Sequence, residues 1–297
     1  MKRHGMAAAI LSLAVLLAAC SPASEPVSGE PSAVSWDSLT VESGLDLQYA
    51  DQFTVDYYTG GYALIHIVDG NDYLVVPENK PVPDGLADTT VVLTQPLDHI
   101  YLVATSAMDL FCALDGIGSI RLSGTDERGW YIDEAKAAMQ NGAMLYAGKY
   151  SAPDYELIYA EQCDLAVEST MIYHSPEVKE QLERLGVPVL VERSSYESSP
   201  LGRMEWLKLY GVLLNREEAA EAIYQQALDS LRPVIEQENT GKAVVFFYIN
   251  SNGSANVRKS NDYVAKMIEM AGGTYIFSDL GNDNALSTMN MQMEMFY

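Results

Sequence analysis

Positive charge is scarce in this chain: 18 Lys and Arg stand against 41 Asp and Glu, for a formal charge of -23. So acidic a surface repels phosphate backbones and anionic lipid heads, which excludes nucleic acid as a partner and favours a body facing the medium. Cysteine numbers three and histidine four, too few and too scattered for a zinc site. His66, His99 and His174 show no i, i+4 or short-loop spacing, so no metal ligand is assigned to them. Catalytic punctuation is also missing: there is no G-x-S-x-G elbow, no paired histidines and no Gly-rich phosphate loop. Gly116-x-Gly118 lacks a third glycine and precedes a strand pattern, so it reads as a turn. Nor does any apolar run reach the roughly 20 residues that a transmembrane helix needs.

A shorter apolar run is present at the start. Lys2 and Arg3 form a positive n-region, Ala7 to Ala18 an apolar stretch with Ser12 as its only polar member, and small residues lead to Cys20. Leu17-Ala18-Ala19-Cys20 resembles the lipobox of bacterial lipoproteins, which implies a signal peptide over 1–19 and Cys20 as the lipidation site. Two or more acyl chains would anchor the protein stably on the extracytoplasmic face of the cell membrane. Residues 20–35 hold little apolar content and read as a flexible tether, with folding beginning near Trp36. Cys112 and Cys163 lie among apolar neighbours and are expected as buried free thiols.

Residues 36–199 form a first unit. Within it, 47–96 reads as a β-meander, with turns at Gly60-Gly61 and Asp69-Gly70-Asn71-Asp72 and a Pro-rich excursion at Pro77 to Pro83. From 97 to 199 strand and helix patterns alternate five times. Strands are expected at Ile100–Ala104, Ser119–Leu122, Ala143–Ala147, Leu165–Val167 and Val187–Val191, with helices between them. Parallel neighbours need a crossover helix, so the alternation implies an α/β unit with a parallel sheet covered on both faces. Residues 200–238 are a connecting helical segment: Asn215-Arg216-Glu217-Glu218 reads as a capping box opening one long helix. Residues 239–297 read as a partial second unit: strand Ala243–Ile249, helix Tyr263–Met270, strand Thr274–Phe277 and a helix beginning at Ser287. Two strands and one helix cannot cover both faces of a sheet, so the second lobe is expected to be incomplete.

The run Glu197-Ser198-Ser199-Pro200-Leu201-Gly202-Arg203-Met204-Glu205-Trp206 resembles the E-x-x-PLGR-x-EW signature of substrate-binding proteins from iron-complex and cobalamin ABC importers. Gly148 to Glu168 and Ala271-Gly272-Gly273 are similar to two further segments of that family, with Cys163 where proline is usual. The resemblance implies two Rossmann-like lobes joined by one long backbone helix, with a small-molecule metal chelate in the cleft between them. A ferric siderophore, haem or cobalamin would be handed to the transmembrane subunits of an ABC permease by a monomeric receptor that is not an enzyme. Family members dock through an acidic residue on each lobe, which here implies Glu127 beside Asp126 and, where the family's glutamate is missing, Asp262.

Ligands of open parallel sheets sit beyond the carboxyl ends of the strands. Residues just after the strand patterns are Thr105, Ser106, Tyr150, Tyr173, Tyr196, Tyr248 and Asn250. A tyrosine face can stack on a macrocycle and its hydroxyl can bond a chelate oxygen, although a chain with 19 tyrosines also carries them as ordinary surface aromatics. Arg203 and Arg258 are the candidate cations for an anionic chelate; a salt bridge to Glu197 or Glu205 is an equal reading of Arg203, and a solvated loop charge of Arg258. Met289, Met291, Met293 and Met295 read as packing residues of a helix rather than a soft-metal trap. Two other function classes stay open. Two-lobed, helix-linked folds also resemble chelatases, which makes a metal-tetrapyrrole enzyme one alternative, and a scaffold lipoprotein without a ligand the other.

Overall fold

The computed structural model describes residues 33–68, 71–280 and 287–296; the signal peptide, Cys20 and most of the tether lie outside the described residues. The N-terminal sheet is built from β1 (Val41–Gly44), β2 (Phe53–Tyr58), β3 (Tyr62–Ile67), β4 (Asp72–Val76) and β5 (Thr90–Thr94), in that spatial order, with β3 and β4 apolar and buried on both faces. The first four pair antiparallel, as a meander does, while β5 runs parallel to β4. The Pro-rich excursion is therefore the crossover that turns the chain round, a role that parallel neighbours usually give to a helix.

The alternating segment yields β6 (Ile100–Leu102), α1 (Met108–Ala113), β7 (Ile120–Ser123), α2 (Asp133–Gln140) and β8 (Leu145–Tyr146). A small hairpin of β9 (Gly148–Lys149) and β10 (Ala152–Pro153) follows, then α3 (Tyr155–Ala160), β11 (Leu165–Ser169), α4 (Pro176–Arg184) and β12 (Val189–Glu192). All five main strands are parallel, in the order β12-β11-β6-β7-β8. The order reverses between β6 and β11, where a doubly wound sheet opens its binding crevice. Both faces are covered. Ile100, Leu102, Leu165, Val167 and Leu190 pack with α1 and the N-terminal sheet on one side, and Tyr101, Ala166, Val189 and Val191 with α3 and α4 on the other.

Two helices follow, α5 (Pro200–Leu214) and α6 (Glu217–Ile235). The expected capping box at Asn215 does not form: Asn215 closes α5 in the left-handed region at φ 54, and Arg216 takes the N-cap position without a side-chain cap bond. Asparagine suits both ends of a helix, and here the end of α5, absent from the sequence reading, claims it. The long helix itself is present, with Pro233 inside its last turn, two residues before Ile235. α5 is buried around most of its circumference, from Leu201 to Leu213, and so belongs to the core. A Cβ on Gly211 would lie 2.7 Å from that of Ala220, so glycine is what lets α5 and α6 touch.

The C-terminal segment forms β13 (Ala243–Val244), β14 (Phe247–Ile249), β15 (Ala255–Arg258), α7 (Tyr263–Met270), β16 (Thr274–Tyr275), β17 (Thr288–Met291) and α8 (Met293–Phe296). The expected strand Ala243–Ile249 is divided: β13 pairs with β16, and β14 with β15. The helix expected from Ser287 is corrected to a strand, β17, antiparallel to β15. Alternate methionines then fall on one face: Met289 and Met291 pack with Ala255, Val257, Phe277 and Phe296. Met289 and Met291 thus pack with the period of a strand and Met293 joins the same cluster from α8, whereas Met295 is exposed and does not pack.

Candidate ligand-binding site

The loops at the carboxyl ends of the parallel sheet bring together most of the expected first-unit residues. Across the sheet from the β12 edge come Tyr196, Tyr173, Ser106 and Thr105, the Asp126-Glu127 loop, and Tyr150 at the turn of the β9–β10 hairpin. Tyr173 and Tyr196 are exposed at the surface and Tyr150 is half-buried. Below them Glu192, buried at the end of β12, accepts a hydrogen bond from the Ser106 hydroxyl at 2.9 Å and from the Ser194 N–H at 2.8 Å. Arg193 stacks its guanidinium over Tyr196 at 4.6 Å and reaches the Gln52 side-chain oxygen at 3.3 Å. Sequence reasoning passed over this cation, although it stands directly after a strand, where the rule that found the tyrosines would have found it.

The 197–206 signature is an anchor for the N-terminal segment. Glu205, with no exposed surface, accepts the N–H groups of Gln48, Tyr49 and Ala50 at 2.7–2.8 Å. Glu197 accepts those of Asp51 and Gln52 and the indole N–H of Trp206, the last at 2.9 Å. Burial raises its carboxyl above the usual range against these hydrogen bonds, which lower it. Any Cβ on Gly202 would meet the Tyr49 carbonyl oxygen at 2.8 Å, so the signature's glycine is required for this close approach.

Arg203 makes no salt bridge with the carboxylate of Glu197 or Glu205, although its Nε donates to the Glu197 backbone carbonyl at 3.5 Å. Its guanidinium lies 3.6 Å from the ring centre of Tyr263 in α7, donates to the Ser195 carbonyl at 2.7 Å, and is lowered from the ordinary arginine range by burial. It therefore couples α5 to α7. Arg258 stands in β15, half-buried, 3.5 Å from Asp262 and over the Phe246 ring at 5.6 Å, rather than in a solvated loop. Tyr248 is exposed on β14 opposite Asn256. Asn250 and Asn256 both donate to the Asn290 side-chain oxygen, at 3.2 and 2.9 Å, which makes a polar amide face beside Tyr248 that the sequence did not disclose.

Of the two residues expected to dock, Glu127 is exposed and accepts a hydrogen bond from Gln140 at 2.7 Å. Asp262 is buried, caps α7 through the Val264 N–H at 2.9 Å and faces Arg258. Both remaining cysteines are free, Cys163 buried and Cys112 half-buried. Burial pushes their thiols up to about 12 and about 11, so they are unreactive at neutral pH. Asp98, His99 and Asp164 are the one group among the described residues with three metal-ligand atoms within 4.8 Å. They lie at the amino ends of β6 and β11, away from the rim, where Asp164 accepts the N–H groups of Asp98 and His99 at 2.8 and 2.9 Å. Among the described residues no helix is long and apolar enough to cross a membrane.

Several solved structures that superpose on this chain are named as solute-binding proteins. A possible iron-binding periplasmic protein from Staphylococcus epidermidis superposes with a TM-score of 0.53 at 15% identity, over 66% of this chain and 72% of that one. A periplasmic haem-binding protein of Vibrio cholerae gives 0.53 at 16% identity, over 66% and 70% of the two chains. The fold is that of the periplasmic solute-binding proteins. The catecholate-siderophore binding protein of Vibrio cholerae shares it, with a TM-score of 0.51 at 17% identity over 66% and 68%. In sequence, this chain is 26% identical over 280 residues to an uncharacterized lipoprotein of Methanocaldococcus jannaschii, over 87% of this chain and 65% of that protein. A second protein of that organism, also uncharacterized, is 23% identical over 107 residues, which are 32% of its length. The chain thus spans less than two-thirds of the curated relatives it matches. No family model matches.

Proposed function

We propose that the protein is a lipid-anchored, extracytoplasmic receptor that captures an iron chelate, ferric siderophore or haem, or a corrinoid, and delivers it to an ABC permease. The observation that carries the reading is the rim at the carboxyl ends of the parallel sheet. Ser106, Tyr150, Tyr173 and Tyr196 stand there with the Arg193 guanidinium, beside the crevice where the strand order reverses. Aromatic faces with a guanidinium suit a large, planar or anionic chelate, because the rings stack and the fork pairs with carboxylate or catecholate oxygens. Proteins of this fold named for iron, haem and catecholate siderophore support the class of cargo. On this reading Arg203 and Arg258, each already engaged by the protein, hold the walls of the cleft. Tyr248 and Asn250 form the facing wall, residues 36–199 and 239–297 are the two lobes, and 200–238 connects them. The receptor acts as a monomer and catalyses nothing.

Titration of the purified protein with haem, a ferric catecholate, a ferric hydroxamate and cobalamin, followed by visible spectra, tests the cargo. Saturable one-to-one binding of one class is expected. Turnover of a tetrapyrrole would instead indicate the chelatase-like enzyme, and no binding to any of the four a scaffold. Acyl labelling of the cells, abolished by Cys20→Ala, is the expected result for the anchor.

A further inference from the structure

Glu168 is buried with no exposed surface, and neither of its carboxyl oxygens has a hydrogen-bond partner. It stands near the end of β11, the strand beside the point where the sheet order reverses. Along β11, Leu165 and Val167 face one core while Ala166 points with Tyr101, Ile158 and Val191 into the other. Alternation puts Glu168 on the side of Ala166. Since Ala166 pairs with Tyr101 of β6, Glu168 lies one repeat beyond Tyr101 on the same face, toward the rim.

Tyr101 spends its hydroxyl elsewhere. It donates to the Gly148 carbonyl at 2.7 Å, where the β9–β10 hairpin leaves the sheet; the hairpin's base is closed by the Asp154 N–H on the Ala147 carbonyl, also at 2.7 Å. The titratable groups around the carboxyl are Tyr101 from β6, Tyr155 from α3, Tyr146 of β8 and Cys163 beside Tyr101, and Glu177 of α4 beside Tyr155. None is a cation. Burial accordingly raises the Glu168 carboxyl to about 8.

We propose that Glu168 is a proton-operated latch on the 148–153 hairpin: the neutral acid leaves the Tyr101 hydroxyl on Gly148, and the carboxylate takes that hydroxyl for itself and frees the hairpin. A carboxylate is the stronger acceptor, and once charged in an apolar site without a partner it must recruit a donor; Tyr101, one repeat back on the same face of the sheet, and Tyr155 are the phenols coupled to its charge. The covalent bookkeeping is one proton lost from Glu168 to solvent and one hydrogen bond exchanged. Tyr150 rides on the hairpin turn, so the β8 side of the rim loosens as pH rises. This holds whatever cargo the cleft takes, and its test uses none.

Hydrogen exchange of the full-length protein between pH 6 and pH 9, corrected for intrinsic rates, reads the hairpin amides directly. Protection of 148–153 is expected to fall at least tenfold in the wild type, with a midpoint near pH 8, and to stay at its pH 6 value in Glu168→Gln. Tyr101→Phe, which removes the donor, is expected to show low hairpin protection at both pH values while the rest of the sheet stays protected. A wild-type hairpin equally protected at pH 6 and 9, an equal loss in Glu168→Gln, or full protection at pH 6 in Tyr101→Phe would each overturn the latch. Should Glu168→Gln not fold, the wild-type profile and Tyr101→Phe decide the matter between them.

Discussion

Glu205 shows how a single acidic side chain can hold a segment through that segment's own backbone N–H groups. Its oxygens accept three consecutive backbone N–H groups, and the Lys208 ammonium is 3.8 Å away, itself bonded to the Asp46 carbonyl at 2.8 Å. Glu205→Ala would leave three donors without partners in a buried site, and we expect a loss of about 3–5 kcal/mol, read as a lower urea midpoint. Glu168 acts in the opposite sense. Its carboxyl is raised from 4.5 to about 8 in the folded state, so the folded form keeps a proton that the unfolded form releases. That penalty is absent below about pH 4.5, grows as pH rises and levels off above about 8. At pH 7 it amounts to ~3 kcal/mol at 1.36 kcal/mol per pH unit. Glu168→Leu should therefore raise the melting temperature at pH 7 and change it little at pH 4. Neither behaviour was legible in the sequence, where Glu168 was only the last residue of the Gly148–Glu168 segment of the resemblance and Glu205 a partner for Arg203. What separates them is the supply of N–H donors, and that is set by which loop packs alongside.

At the scale of elements, the strand and helix alternation between 97 and 199 was legible almost to the residue, because each element there buries one face and so repeats with its own period. The ends were less so. Asn215 served a helix that the reading had not separated from the next, and the last residues paired as β17 because β15 offered them an edge. Periodicity cannot announce a partner strand in a stretch so short. The contact between α5 and α7 is of the same kind: Arg203 sits on Tyr263, 60 residues further along the chain, at 3.6 Å. We expect Arg203→Ala to weaken cargo binding at least tenfold by releasing α7, and Tyr263→Ala to have much the same effect. In a double-mutant cycle the two should couple by roughly 1–2 kcal/mol. Unchanged affinity with unchanged stability in Arg203→Ala would remove the residue from the site and its walls.

For the molecule as a whole, the excess of 41 acidic over 18 basic residues means that exposed carboxylates are plentiful and that a particular docking residue must be distinguished by its surroundings. Glu127 is exposed, whereas Asp262 is committed to the cap of α7 and to Arg258. In vesicles carrying the permease, Glu127→Lys is expected to reduce capture of the loaded receptor, most strongly at low salt, with cargo affinity unchanged. Asp262→Asn should leave docking as it was and cost about 1 kcal/mol of stability through the weakened cap and the unpaired Arg258.

Two levels of information meet in this protein. Local periodicity, which needs no distant partner, was enough to give the parallel sheet, the end of it at which the candidate ligand residues stand, and the long helix after residue 215. The assignment of charged and hydrogen-bonding side chains came only with the folded chain. Glu205 meets Gln48 across 157 positions, and Tyr73 meets Val189 across 116. Such a bond depends on how whole elements pack, and no window of sequence contains both of its ends.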